Sequence, residues 1–220
     1  FLPLESAAAA GGTGTQAVTL DAVTLSATGA LAIKGTYAAV GPVISLLTSG
    51  SDVDETSSAT TASISVTAGV PVIIDVTNDS FNTGEDQTPT GITGPGGMTF
   101  AKVAETNPDV DFVWLSRWVA SPSSTASGTC TITYSTNQDA VVWSVHQVLG
   151  ARRLTGNGVD MFRQHVTANT AFGAGTTDTA TLAAYGDSVN RPLVAFMAEN
   201  NSSTIRTATM EAGWTELSDV

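Results

Sequence analysis

Cysteine occurs once in these 220 residues, at Cys130. A single thiol excludes an intrachain disulfide framework, and its setting in Thr129-Cys-Thr-Ile-Thr-Tyr134 reads as a small apolar side chain turned to a core. Positive charge is nearly as scarce. Eight Lys and Arg stand against twenty Asp and Glu, giving a formal net charge of −12 and a pI near 4.2. Binding to nucleic acid needs clustered cations that displace counterions, and Arg152-Arg153 is the only basic pair, so no nucleic-acid partner is expected. No apolar run approaches the ~20 residues that cross a bilayer, and Phe1-Leu-Pro-Leu-Glu5 has no basic flank of the kind a secretory signal carries. No membrane insertion is expected. Because the chain opens on Phe1 rather than Met, both ends are read as trimmed.

Catalytic signatures are equally thin. His146 sits inside the apolar stretch Val141 to Val148 and His165 in a weakly patterned segment, neither beside a nucleophile motif such as Gly-x-Ser-x-Gly. Each reads as a structural histidine. Two histidines and one cysteine fall short of a zinc set. Asp52, Asp54 and Glu55 share one loop and Asp79, Glu85 and Asp86 the next, yet neither completes a calcium-loop pattern, so both read as solvated loops. Gly91-Ile-Thr-Gly-Pro-Gly-Gly97 has no Lys and no following helix, which makes it a turn and not a phosphate cradle. Hence no catalytic, cofactor-binding or metal-ligating residue is assigned, no cofactor is expected, and the chain is read as a non-enzyme.

What the chain does have is Gly, Ala, Ser and Thr in quantity, with charged residues at only 13%. Such a surface is solvated by hydroxyls more than by ions. Residues 1 to 40 hold almost no charge and include Ala7 to Ala10, Gly11-Gly12 and Gly14, the makings of an extended arm. Within the arm, Ala17-Val-Thr-Leu20 recurs as Ala22-Val-Thr-Leu25. An offset of five reverses the faces of a strand, so a bend or bulge between the copies is expected, or burial on both sides against other subunits.

From Gly41-Pro42 to Val220 the pattern is that of one all-β domain, an antiparallel β-sandwich of jelly-roll type. A first strand is expected at Val43 to Leu47, then an acidic, hydroxyl-rich loop from Ser49 to Ser58. Ala62, Ile64 and Val66 alternate with Ser63, Ser65 and Thr67, and Cys130, Ile132 and Tyr134 alternate with Thr129, Thr131 and Thr133. Further strands are expected at Val72 to Val76, Met98 to Val103, Phe112 to Val119, Val141 to Val148, Thr179 to Tyr185, Leu193 to Met197 and Trp214 to Leu217. Both faces of Phe112 to Val119 are apolar, which marks a central strand with Arg117 reaching a sheet edge. Trp114 and Trp118 share a face of it with Phe112, while Trp143 lies on a later strand. Core packing is the first reading of these rings and a sugar-stacking platform the second. Between Gly150 and Gly175 a long crossover is expected, with Met161 to Val166 the stretch closest to a helical turn.

One phrase is written twice. Pro71-Val-Ile-Ile-Asp-Val-Thr-Asn-Asp-Ser80 leads to Gly97-Met-Thr-Phe100, and Pro192-Leu-Val-Ala-Phe-Met-Ala-Glu-Asn-Asn-Ser202 leads to Gly213-Trp-Thr-Glu216. The domain is therefore expected to consist of two similar halves, the second cut short at the C-terminus. The missing strands would come from a continuing chain or from a neighbouring subunit, because an open sandwich edge exposes unpaired backbone groups.

Thr19-Leu-Asp-Ala-Val-Thr-Leu-Ser-Ala-Thr-Gly29, followed by Ala30-Leu-Ala-Ile-Lys-Gly-Thr36, resembles the short β repeat of structural proteins in tailed bacteriophage particles. The strand-loop-Gly-Trp-Thr-Glu-Leu phrase ending at Leu217 is similar to that of their jelly-roll modules. Met98 stands where Trp is usual in the first copy. The resemblance implies a virion location as a capsid decoration, head fibre, or tail or tail-fibre component. It also implies attachment to other virion proteins through the arm, and a homo-oligomer, with a trimer as the common case. A host-recognition adhesin or carbohydrate-binding module that meets a host surface glycan is the alternative. No catalytic residue comes with the resemblance.

Overall fold

The computed structural model describes residues 20–25, 31–35, 41–54, 56–79, 88–109, 113–151, 156–162, 164–167, 193 and 217. Of residues 20–25, 31–35, 108 and 109 it describes the backbone alone. Phe112, Glu55, Glu85, Asp86, Arg152-Arg153 and the strands expected at 179–185, 193–197 and 214–217 lie outside these residues, Leu193 and Leu217 excepted.

In the arm, β1 (Leu20–Leu25) and β2 (Leu31–Gly35) form an antiparallel hairpin that pairs with no other described strand. Its register slips between Leu20 and Ala22, so Asp21 is bulged. That is a bulge of the kind expected between the two Ala-Val-Thr-Leu copies.

Eleven further strands occur among the described residues. They are β3 (Val43–Asp52), β4 (Thr56–Thr60), β5 (Ile64–Val66), β6 (Val72–Asp79), β7 (Gly91–Gly94), β8 (Met98–Thr99), β9 (Ala101–Asp109), β10 (Val113–Ala120), β11 (Ala126–Gly128), β12 (Thr131–Gln138) and β13 (Ala140–Leu149). One sheet has the order β3-β13-β6-β10-β9 and the other β4-β12-β7-β8, while β5 and β11 form a short side ladder. Set aside β5, β9 and β11, and number the remaining eight in chain order. The sheets then read 1-8-3-6 and 2-7-4-5, the double Greek key of a jelly roll. The fold is thus the expected antiparallel sandwich. These eight strands lie between Val43 and Leu149; the second copy of the repeated phrase lies, Leu193 excepted, outside the described residues.

Alternation explains the inner core. Ala59, Ile92, Cys130, Ile132 and Tyr134 from one sheet meet Ile74, Val76, Trp118, Trp143 and Val145 from the other, all buried. Burying one such aliphatic side chain is worth about 1.5–3 kcal/mol. Gly50 lies opposite Trp143 in register, and a Cβ there would stand 3.1 Å from the indole, so glycine makes room for the ring. Gly96 has φ +69, and a Cβ on it would come within 2.4 Å of the Ser124 carbonyl. This turn therefore requires glycine on two counts.

Several expectations need correction. β3 runs on to Asp52 and β4 starts at Thr56, so most of Ser49 to Ser58 is strand. This stretch is mostly Ser, Thr and Gly, with Gly50 leaving a gap for Trp143 in place of an apolar side chain, which conceals a strand from a hydrophobicity pattern. Gly91 to Gly94 is likewise a strand, with Ile92 buried in the core and the 3-10 turn confined to Pro95–Gly97. Ala62 is exposed and does not continue the Ile64-Val66 face. There the chain leaves the sheet, pinned by Thr61, whose amide donates to the Cys130 carbonyl and whose Oγ1 accepts from the Cys130 amide.

Candidate functional site

The five-stranded sheet is covered on both faces. Its outer side carries Ile73, Val119 and Val148, against which Ile44, Val103, Val159, Met161, Phe162 and Leu193 pack. Ala151, Val159, Met161, Phe162 and Leu193 are thus seated on this face, partly through a 3-10 turn at Val159–Met161. A strand buried on both sides reads as an unbroken apolar run, and a lone charge inside such a run must find a partner. Val72-Ile-Ile-Asp-Val76 and Val113-Trp-Leu-Ser-Arg-Trp-Val119 each hold one.

Those two charges meet. Arg117 lies opposite Asp75 in register and donates from Nε to Oδ1 at 2.7 Å and from Nη2 to Oδ2 at 2.9 Å. Its Nη1 donates to the Leu193 carbonyl at 2.9 Å. The fork therefore grips the carboxylate with two groups and the following chain with the third, the planar bidentate geometry that Arg supplies. Arg117 does not reach a sheet edge, since β10 is flanked by both β6 and β9.

On the other side of Asp75 stands Ser144, opposite it in register, and two residues on comes His146. His146 Nε2 lies 3.1 Å from Ser144 Oγ. Its Nδ1 is buried and has no hydrogen-bond partner, so one half of the ring is satisfied and the other is not. Burial holds the imidazole below its ordinary value; Asp75 opposes this and Arg117 reinforces it. A Ser, a His and an Asp are thereby brought together, but the carboxylate is spent on Arg117 and the site is closed to solvent. Sequence patterning placed His146 on an apolar strand and missed this company. The solitary charges in two apolar runs were the available signal.

Trp118 and Trp143 are buried in the core, while Trp114 is half-buried. Trp118 donates from Nε1 to Ser116 Oγ at 2.9 Å, and Lys102 Nζ sits 5.7 Å from its ring centre. Cys130 is buried, and burial raises its thiol to about 11, against a smaller lowering by a hydrogen bond with Thr61. His165 is exposed.

Two further features lie elsewhere on the sandwich. The registers bring Asp52, Asp79 and Asp109, at the ends of β3, β6 and β9, to the same end of the sheet as Asp139, which precedes β13. Asp54 follows closely, its amide donating to Asp52 Oδ1 at 3.2 Å. Among the described residues no three potential metal ligands come together. By contrast the outer face of the four-stranded sheet is charge-free. Thr60, Thr131, Thr93 and Thr99 stand in one row across all four strands, with Ser58 and Thr133 in the next. All but Thr131 are exposed, and Thr131 is half-buried. No charged residue occurs from Thr56 to Ile74, from Thr88 to Ala101, or from Trp118 to Gln138. An open depression of about 460 Å3 is lined by Ala68, Gly69, Ser121, Pro122, Ser123 and Gly156, none of them titratable.

No family model, no curated protein and no solved structure matches this chain.

Proposed function

We propose that this chain is a non-enzymatic structural protein of a bacteriophage particle, held peripherally on the virion by its N-terminal arm with the jelly roll facing outward. The observation that carries the reading is the division of labour between arm and sandwich. The arm, which resembles the short β repeat of phage structural proteins, forms a hairpin whose described strands join neither sandwich sheet. The jelly roll closes without it. A sandwich that presents an acidic rim and a hydroxyl-covered sheet suits an exposed position, where like charge keeps neighbouring copies apart. The arm then joins other virion proteins, and copies of the chain assemble with one another there.

A second reading is a tail-fibre module that binds a host surface glycan. Its support is the hydroxyl sheet, not the tryptophans, because Thr and Ser rows offer donors and acceptors to a neutral sugar surface. One experiment separates the two. Removing residues 1–40 is expected to leave a folded sandwich that no longer co-sediments with the source particles. Retained association would overturn the arm-docked role, and host-cell or glycan binding by the shortened chain would favour the second reading.

A further inference from the structure

We propose that the Asp75-Arg117-His146 cluster is an acid-sensitive latch, closed while His146 is neutral and released on its protonation, which frees the turn at Val159–Phe162 and Leu193 from the outer face of the five-stranded sheet.

The geometry argues this in three steps. First, the cluster lies at a junction, because Arg117 holds a carboxylate of the sheet and the Leu193 carbonyl of the following chain at once. Leu193 is also the residue after Pro192, where the repeated phrase begins again. Second, the imidazole has room for no charge. It is 3% exposed, its Nδ1 has no acceptor, and the one carboxylate that acts on it is already saturated by the Arg117 fork. A proton on that ring would be a second buried cation set against a single anion. Third, the groups around it offer no relief. In register His146 stands beside Ile73 of β6 and Leu46 of β3, and the charged groups that act on it are Asp75 of β6 and Arg117 of β10. Its own strand adds Ser144 and Val148. The covering chain contributes Val159, Met161, Phe162 and Leu193, with Asp160 the charged residue of that turn.

The sign follows from where the proton is taken up. An opened state exposes His146 to water and protonates it near the ordinary value of 6.5, while the closed state takes the proton only at lower pH. Closure therefore keeps its full advantage above that value and loses it as the pH falls below. For one proton, the opening constant rises by up to about 30-fold between pH 7.5 and 5.0. The inference stands apart from the virion reading, since it concerns only the contact between the jelly roll and the chain that follows.

The test is an NMR titration of the two imidazoles in the whole chain, with His165→Gln to assign them, joined to native-state hydrogen exchange at pH 7.5 and 5.0. His146 is expected to titrate below 6.5. Opening of residues 156–167, corrected for intrinsic exchange, is expected to increase at least several-fold on acidification in the parent chain and to stay level in His146→Gln. A His146 that titrates at or above the ordinary value would overturn the latch. So would acid opening of equal size in His146→Gln, or no opening in the parent. Should His146→Gln fail to fold, the titration and the parent exchange still decide.

Discussion

The five-stranded sheet hides Asp75, Arg117 and His146 on an outer face covered by later chain, whereas the four-stranded sheet leaves its outer face open and places no charge on it. Both sheets feed the same inner core, so the contrast lies wholly in what each does with its other side. Where the outer face is covered, the strand sequences turn almost continuously apolar, and any charge must be satisfied by a specific neighbour. Where it is open, Thr and Ser alternate with the core residues and water satisfies them without help. A charge in the covered sheet is thus held to one geometry, and a hydroxyl in the open sheet is interchangeable.

The sharpest way to break this contrast is Arg117→Ala. It leaves the Asp75 carboxylate buried without its partner and is expected to cost about 3–5 kcal/mol in denaturant unfolding. Arg117→Met combined with Asp75→Leu, which removes both charges at similar volume, should restore most of that loss. A single variant no worse than the double would mean that the pair is wetter than its 15% and 9% side-chain exposures indicate. Next in size comes the reactivity of Cys130, which sits in the open sheet but points into the shared core. With its thiol raised to about 11, it should stay essentially unlabelled by a thiol reagent at pH 8 until the sandwich unfolds. Fast labelling in native buffer would show that the open sheet breathes. The smallest effect is expected for Thr133→Lys on the exposed hydroxyl row, within about 0.5 kcal/mol of the parent. A large loss there would mean that this face is covered after all, by another copy or by a ligand.

The same contrast decides what was legible in the residues alone. Cys130, Ile132 and Tyr134 announce themselves by period-two alternation because their strand has one wet face. The double burial of β10 is visible in Val113, Leu115 and Val119 opposite Trp118. Strands built from Ser, Thr and Gly escaped, as at Ser49 to Asp52 and Gly91 to Gly94, because their contribution to the core is a single residue or a gap for Trp143. Pairing partners escaped as well. Nothing local to Arg117 names Asp75, since a register spanning 42 positions is set by the whole topology. The repeated phrase suggested two halves of one sandwich. The described strands from Val43 to Leu149 follow a jelly-roll order, and the second copy of the phrase lies, Leu193 excepted, outside the described residues.

The order of strands in that jelly roll also bears on how the chain is made. β3 is the first strand of the sandwich to leave the ribosome, and its sheet partner, β13, is the last. β13 must enter between β3 and β6, so neither can complete its hydrogen bonding until nearly the entire domain has been synthesised. At the ~5–20 residues per second of translation, that wait lasts seconds. Non-local pairing of this kind makes closure slow and leaves Val43-Ile-Ser-Leu-Leu47 open to wrong partners in the meantime. During that interval the nascent chain depends on crowding its β3 edge as little as possible, and production at low temperature or with chaperones present should raise the yield of folded protein.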